Sequence, residues 1–422
     1  MDSPAKPPLP ISSGSGAWIV VAAIAIALLQ AVPEIVGLVD AFLHHKIVVN
    51  DLATHYAHAD MAFNWRISPY YWETIRLYPA RSPAFYPIFV YALFWPLTIL
   101  PMAWALPLFA LVEAGVLAVL AWLLLSKIAA HIEGGRWTIA IAALLAGAPV
   151  IAFNFFELQV NLHIACLIVL CMLLISRPRN DWLVGLFLGL VLLLKFYFIL
   201  VLAIPLLRGD WRILLTATAV LALAIAVTAL AVPGAIWRDW FEFALHSGYA
   251  IKPAGAAIVD WYYNQSLNGY VVRLLGTGSV AQIVAYGVAA AILVVNFAVL
   301  IVERGLPRVL YYSKALLTLT LAIYMVAPLT WLHYLIYQIV VVVWLWADLS
   351  AGGRITSWRR IGLIALLALL VLPWFMLLQA PFGDYFGWLL LPATAVLWAC
   401  CLMHRPHGFG ELQPAASQPK SA

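Results

Sequence analysis

The chain has 422 residues, of which 65% are hydrophobic and only 10% charged, and its mean hydropathy is +0.99. A soluble domain is about half apolar and about a quarter charged, so a soluble globular protein is excluded. The net charge of +5 does not point to nucleic acid, because the Lys and Arg residues stand in short clusters between hydrophobic runs, the arrangement that sets membrane topology.

Residues 1–16 are rich in Pro, Ser and Gly and are expected to form a disordered cytoplasmic tail. Trp18–Leu43 is too long for the apolar stretch of a signal peptide and lacks a small-residue cleavage site, so it reads as a helix. Trp18–Val39, Leu106–Ser126 and Gln282–Val302 each supply roughly the 20 apolar residues that a bilayer crossing needs. The expected fold class is an all-α polytopic membrane protein with about 10–12 membrane helices, some short or re-entrant, under a layer of outer-face loops. One transmembrane domain is expected over 17–404, with a second disordered cytoplasmic tail over 405–422. Cys166, Cys171, Cys400 and Cys401 all fall inside hydrophobic segments and read as small core residues, not as a disulfide framework. No internal repeat of the kind found in many transporters is visible.

Positive charge marks the cytoplasmic side. The loops carrying Arg354, Arg359 and Arg360, Arg304 and Arg308, Arg208 and Arg212, Arg177 and Arg179, and Lys127 and Arg136 form one consistent set. With Lys6, Arg405 and Lys420 they place 14 of the 23 basic residues inside; seven lie outside, and Lys195 and Lys314 lie within hydrophobic runs. Two inferences follow. Tyr86–Pro101 carries Pro87, Pro96 and Pro101 and would invert every later loop if it crossed, so it reads as a juxtamembrane or re-entrant piece closing an outer loop over 44–101. Trp182–Leu207 has basic residues at both ends, so it reads as two short helices meeting at Lys195. Re-entrant backbone survives in a bilayer only where protein or a water-filled cavity surrounds it, so Lys195 is expected to line a cavity. Further outer elements are 233–270, Pro328–Tyr334 and the small loop Asn154–Asn161.

Several constellations can carry chemistry. Asp51 opens a helix-like stretch with His55 one turn along and Tyr56 slightly off that face; it is either the helix cap or a general base. Lys195 in an apolar run is costly and either binds an anion or pairs with Glu113 or Glu157. Lys314, near a helix start, is expected to snorkel to the interface. Asn264, Gln265 and Ser266 with Arg273 suit sugar hydroxyls or a phosphate, or form a capping loop. Trp331 and Tyr334 suit an interfacial aromatic belt, and His333 can donate to an anion. Gln159 and Asn161 begin an outer helix. His44, His45, His55 and His58 lack a recognised ligand spacing, so no metal site is expected.

Taken together, these pieces resemble the polyprenyl-phosphate-mannose-dependent alpha-1,2-mannosyltransferases of glycosyltransferase family 87, in the C-type membrane glycosyltransferase superfamily. The resemblance runs from about Val48 to Tyr337 through five ordered motifs: Asp51 with His55 and Tyr56; Tyr86-Pro87 with Pro96 and Pro101; Gln159-Val160-Asn161; Lys195 after Gly185 and Gly189; and Asn264-Gln265-Ser266 with Arg273, followed by Trp331 and His333. The chain departs from the pattern in four places. Glu157-Leu158 stands where Gly is usual before Gln, Ile88 replaces a second Pro, Tyr334 replaces a frequent second His, and the Asp51-to-Tyr56 spacing is one residue longer.

The resemblance implies a C-type fold and an inverting sugar transfer, mannose first among the candidates, from a polyprenyl-phosphate donor to a lipid-linked or glycan acceptor. It implies Asp51 as the base, Lys195, Arg273 and His333 as ligands of the donor phosphate, and His55, Tyr56, Tyr86, Gln159, Asn161, Asn264, Gln265, Ser266 and Trp331 as substrate contacts. No cofactor, metal or nucleic acid is expected; membrane lipids are. The site is expected on the extracytoplasmic side of a bacterial inner membrane. A related enzyme using lipid-linked arabinose or glucose shares all these features. A transporter would also use an intramembrane Lys, but the missing repeat and the polar elements gathered on one face speak against it.

Overall fold

The computed structural model describes residues 36, 50–71, 84, 86–128, 150–151, 154–155, 157–246, 264, 266–327, 330, 334–351 and 383–406. The N-terminal tail, Trp18–Leu43 apart from Val36, and the C-terminal tail beyond residue 406 lie outside them. Among the described residues every regular element is helical: α1 (Asp51–Ala59), α2 (Ile88–Tyr91), α3 (Met102–Leu123), α4 (Asn161–Leu174), α5 (Asp181–Leu194), α6 (Ala203–Arg208), α7 (Trp211–Ala231), α8 (Gly234–His246), α9 (Leu267–Leu275), α10 (Ser279–Val302), α11 (Arg308–Val326), α12 (Leu335–Ala351) and α13 (Gly383–Met403).

Among the described residues, four stretches are long and apolar enough to cross a membrane: Met102–Ile128, Trp211–Ala231, Ser279–Gly305 and Arg308–Val326. Three of them turn large apolar side chains outward. Leu111 is 72% exposed, Leu230 90% and Val302 83%, a surface that only lipid stabilises. The fourth, α11, is different: every residue from Tyr311 to Val326 is buried, so α11 is the central post of the bundle.

The proline-bearing segment before α3 is indeed no continuous span. It forms the four-residue α2 and a 3-10 turn over Trp95–Ile99, until Pro101 opens α3. This piece folds with α1 into one layer. The Tyr56 hydroxyl donates to the Leu100 carbonyl at 2.8 Å, Asn64 Nδ2 donates to Thr98 Oγ1 at 2.9 Å, and Phe63 stacks on Trp95.

Between Asp181 and Arg208 the chain makes a hairpin. Helix α5 runs 14 residues, about 21 Å at 1.5 Å per residue. Lys195 then takes an extended conformation (φ −148°, ψ 101°) and the chain returns through a 3-10 helix, Phe196–Leu202, and α6. The return leg spans about 23 Å, so the two ends come back to one level. They meet there: Arg308 lies 2.9 Å from Asp181 and 3.3 Å from Asp210, and the Tyr312 hydroxyl donates to Asp210 at 2.7 Å. A single crossing from Trp182 to Leu207 is thereby excluded, as the charge pattern implied.

Helix α5 leans on α7 through glycines four apart. A Cβ on Gly185 would stand 2.6 Å from the Ile213 carbonyl oxygen, and one on Gly189 would stand 2.7 Å from Val220 Cβ. Only the missing side chains allow this approach, the usual device where helices pack in lipid.

The same charged face holds Lys314. It does not snorkel to the interface: its side chain is 1% exposed, and its ammonium lies 2.5 Å from Glu303 and donates to the Leu402 and His404 carbonyls. These carbonyls end α13, where a cation is favoured by the helix dipole. His404 is in turn 2.6 Å from the buried Asp348 carboxylate. The ends of α5, α6, α10, α12 and α13 thus share one face.

Candidate active site

Helix α1 begins one residue earlier than its acidic residue suggests. Asn50, extended at φ −103°, caps it by accepting the Ala53 N–H at 2.8 Å, and Thr54 Oγ1 returns a hydrogen bond to the Asn50 carbonyl. Asp51 is therefore not the cap. It is the first helical residue, half-buried, with its own N–H donating to Glu157 Oε2 at 3.3 Å. Negative charge at a helix start is favourable.

Lys195, at the turn of the hairpin, is 2% exposed. Its ammonium stands 3.6 Å from the centre of the Tyr334 ring and 5.8 Å from that of Tyr197. Neither carboxylate expected as its partner takes it. Glu157 accepts from the Asp51 N–H, and Glu113 is buried with neither oxygen hydrogen-bonded among the described residues. The link between the hairpin tip and α1 runs through aromatic rings: His55, one turn from Asp51, packs on Tyr86 at 5.7 Å, Tyr86 is hydrogen-bonded to Tyr334, and Lys195 lies over the Tyr334 ring. Base candidate and cation candidate, far apart in the chain, thus border one aromatic cluster.

Aromatic rings wall this site. The His55 ring packs on Phe94 at 5.0 Å, Tyr86 at 5.7 Å and Tyr91 at 5.9 Å. Burial first, then the His58 and Lys195 charges, hold the His55 imidazole down to about 3, so it is neutral at physiological pH. Burial raises the Tyr86 phenol above the usual range, with the Asp51 charge adding to it and the neighbouring Tyr334 and Tyr197 hydroxyls opposing. Tyr56 does not join them, because its hydroxyl is spent on Leu100.

Gln159 and Asn161 are buried beside it. The turn before them is a Schellman cap: the Gln159 N–H bonds the Asn154 carbonyl at 2.9 Å and the Leu158 N–H bonds that of Phe155 at 3.2 Å. The cap needs a left-handed residue, and Leu158 supplies it with φ +48°. This is the position where the resembled pattern has Gly. Asn161, the first residue of α4, accepts from the Tyr337 hydroxyl at 2.8 Å and holds Gln159 and Asn154 at 3.4 Å.

The Asn264 amide oxygen accepts from Ser266 N–H and Oγ–H and, at 3.1 Å, from the Thr330 N–H. Ser266 caps α9, and Arg273 at its far end donates to the Asn264 carbonyl at 2.8 Å. The polar run is thus a capping loop that also ties Arg273 to the chain three residues before His333. Gln265, Trp331 and His333 themselves lie outside the described residues.

Two residues at the site, Tyr197 and Tyr337, are not among the candidates named from the sequence, and a third, Tyr334, is expected there in an interfacial belt. Tyr334 is buried in the core under Lys195, not in an interfacial belt. Tyr337 shares its helical face, three residues on, and Tyr197 follows Lys195 by two. An aromatic flanking an intramembrane cation is the signal that finds them.

The sequence profile of glycosyltransferase family 87 matches residues 84–328, more than half of the chain. The chain belongs to glycosyltransferase family 87. No curated protein and no solved structure matches it. The family assignment makes the chain a membrane glycosyltransferase that handles a sugar donor and an acceptor. Of the site residues, Tyr86, Gln159, Asn161, Lys195, Asn264 and Arg273 fall inside the matched segment, whereas Asp51 and Tyr334 join them only through the fold.

Proposed function

We propose that this glycosyltransferase transfers a sugar, mannose first among the candidates, from a polyprenyl-phosphate donor to a lipid-linked or glycan acceptor, with inversion, at the extracytoplasmic face of a bacterial inner membrane. The observation that supports the reading is the aromatic cluster between Asp51 and Lys195, in which His55, one turn from Asp51, packs on Tyr86, and Lys195 lies over Tyr334. A carboxylate and a cation at opposite sides of that cluster supply both ends of one displacement. The acceptor hydroxyl oxygen attacks the anomeric carbon and gives its proton to Asp51. The bond from that carbon to the phosphate oxygen breaks, and polyprenyl phosphate leaves with the electron pair. Its new charge is met by Lys195, with Arg273 and His333 as further donors. His55, Tyr86, Gln159, Asn161, Asn264, Gln265, Ser266 and Trp331 line or brace the substrate space. A donor whose tail stays in the leaflet suits a site walled by buried helices.

The test is release of polyprenyl phosphate from a polyprenyl-phosphate sugar by the protein in nanodiscs, with lipid extract as acceptor. Asp51→Asn is expected to abolish release while leaving the fold intact. Normal turnover by that variant removes Asp51 as the base. Release from lipid-linked arabinose or glucose, but not mannose, keeps the mechanism and changes the donor.

A further inference from the structure

Lys195 is a buried cation in unusual company. An ammonium withdrawn from water is normally compensated by a carboxylate, yet among the described residues Lys195 has no ion pair. It has the face of the Tyr334 ring at 3.6 Å instead, with Tyr197 more distant. That separation is well inside the roughly 6 Å over which a cation and an aromatic face attract, and desolvation strengthens the attraction.

The Tyr334 ring is itself held from several sides. It is 3% exposed and packs on Tyr324, Tyr337 and Tyr197 with centroids 6.3, 6.2 and 6.5 Å away. Tyr337 is fixed by its hydrogen bond to Asn161, and Thr330 donates its N–H to the Asn264 amide oxygen. Two otherwise separate polar motifs, at Asn161 and Asn264, therefore bear on the neighbours of one ring.

The two ways of seating a lysine differ in consequence. A carboxylate would cancel its charge and compete with an incoming anion. A neutral ring attracts the ammonium through its quadrupole without cancelling its charge, and the Asp51 carboxylate acts on it only from beyond ion-pair distance. We infer that Tyr334 is a positioning residue whose ring seats the Lys195 ammonium without neutralising it, keeping the cation available to the phosphate of the lipid-linked substrate. This rests on the reading of Lys195 as a phosphate ligand.

The experiment measures binding of radiolabelled polyprenyl monophosphate to the protein in nanodiscs across a pH series. Lys195→Ala is expected to lose most of the affinity. Tyr334→Leu is expected to weaken binding by about tenfold or more and to shift the loss of binding at high pH to a lower pH, because the ammonium has lost its seat. Tyr334→Phe and Tyr334→Trp keep an aromatic face and are expected to retain most of the affinity. In the Lys195→Ala background, Tyr334→Leu should add nothing. Normal binding by Lys195→Ala overturns the phosphate-ligand reading itself. A weakened Lys195→Ala beside a normal Tyr334→Leu overturns only the role of Tyr334, as do additive losses in the double variant. Should Tyr334→Leu fail to fold, the comparison of Tyr334→Phe with Tyr334→Met decides. Equal affinity and equal pH dependence there count against an aromatic seat.

Discussion

Arg308 lies 2.9 Å from Asp181 and 3.3 Å from Asp210, one residue at each end of the chain that rises to Lys195 and returns. One guanidinium thereby clamps both feet of the hairpin that carries Lys195 at its tip.

The hairpin places exposed positions 179 and 212 on the same side of the membrane. Arg179→Cys and Arg212→Cys, each alone in an otherwise cysteine-free chain, should react with an impermeant maleimide from the same side. Labelling from opposite sides would show a crossing between them.

Gly185 and Gly115 make a matched pair. Gly185→Ala pushes a methyl against the Ile213 carbonyl and Thr216 and should cost about 1–3 kcal/mol. It should also slow turnover, because α5 carries Lys195. Gly115 has nothing within 4 Å of a built Cβ, so Gly115→Ala should raise stability by about 0.4–1 kcal/mol. Denaturation in detergent measures both, and a stable Gly185→Ala enzyme would contradict the close α5–α7 contact.

Glu113 is the buried carboxyl of α3 that Lys195 does not pair with, and neither of its oxygens is hydrogen-bonded. Removing an unsatisfied polar group favours the folded state. Glu113→Leu should stabilise the protein by about 1–3 kcal/mol in the same denaturation experiment. A large loss of stability would reveal a partner for the carboxyl.

His55 sets a pH dependence of known sign. Its imidazole is held to about 3, against 6.5 for an ordinary histidine. As pH falls below about 6.5 the unfolded chain takes up a proton that the folded chain refuses, so stability present above that pH is lost progressively on the way to about 3. His55→Gln should flatten the fall in melting temperature between pH 6.5 and 4. Identical slopes for the variant and the parent would show that His55 is not buried uncharged.

How much of this was legible beforehand differs from residue to residue. The hairpin turn at Lys195 was readable, because charge parity across a bilayer is a global constraint written in local clusters of Arg. The cap of α1 was misplaced by one residue, since Asn50 and Asp51 are both good capping residues and only backbone geometry chooses between them. Leu158 was visible as a departure from Gly, but its meaning as a strained left-handed cap residue needed the dihedral angle. Its buried leucine side chain is the compensating term.

Membrane embedding, helical class, the non-crossing proline segment and the family pattern were determined by the sequence alone. Each rests on composition, on local spacing, or on a sum over the whole chain. The tertiary structure alone decided which partner Lys195 has. Glu113, Glu157 and Tyr334 were all open to it by chemistry, and the choice falls to whichever side chain the packing of α5, α11 and α12 carries over the hairpin tip. Contacts between residues more than a hundred positions apart leave no local periodicity, so no reading of the chain in one dimension can settle them.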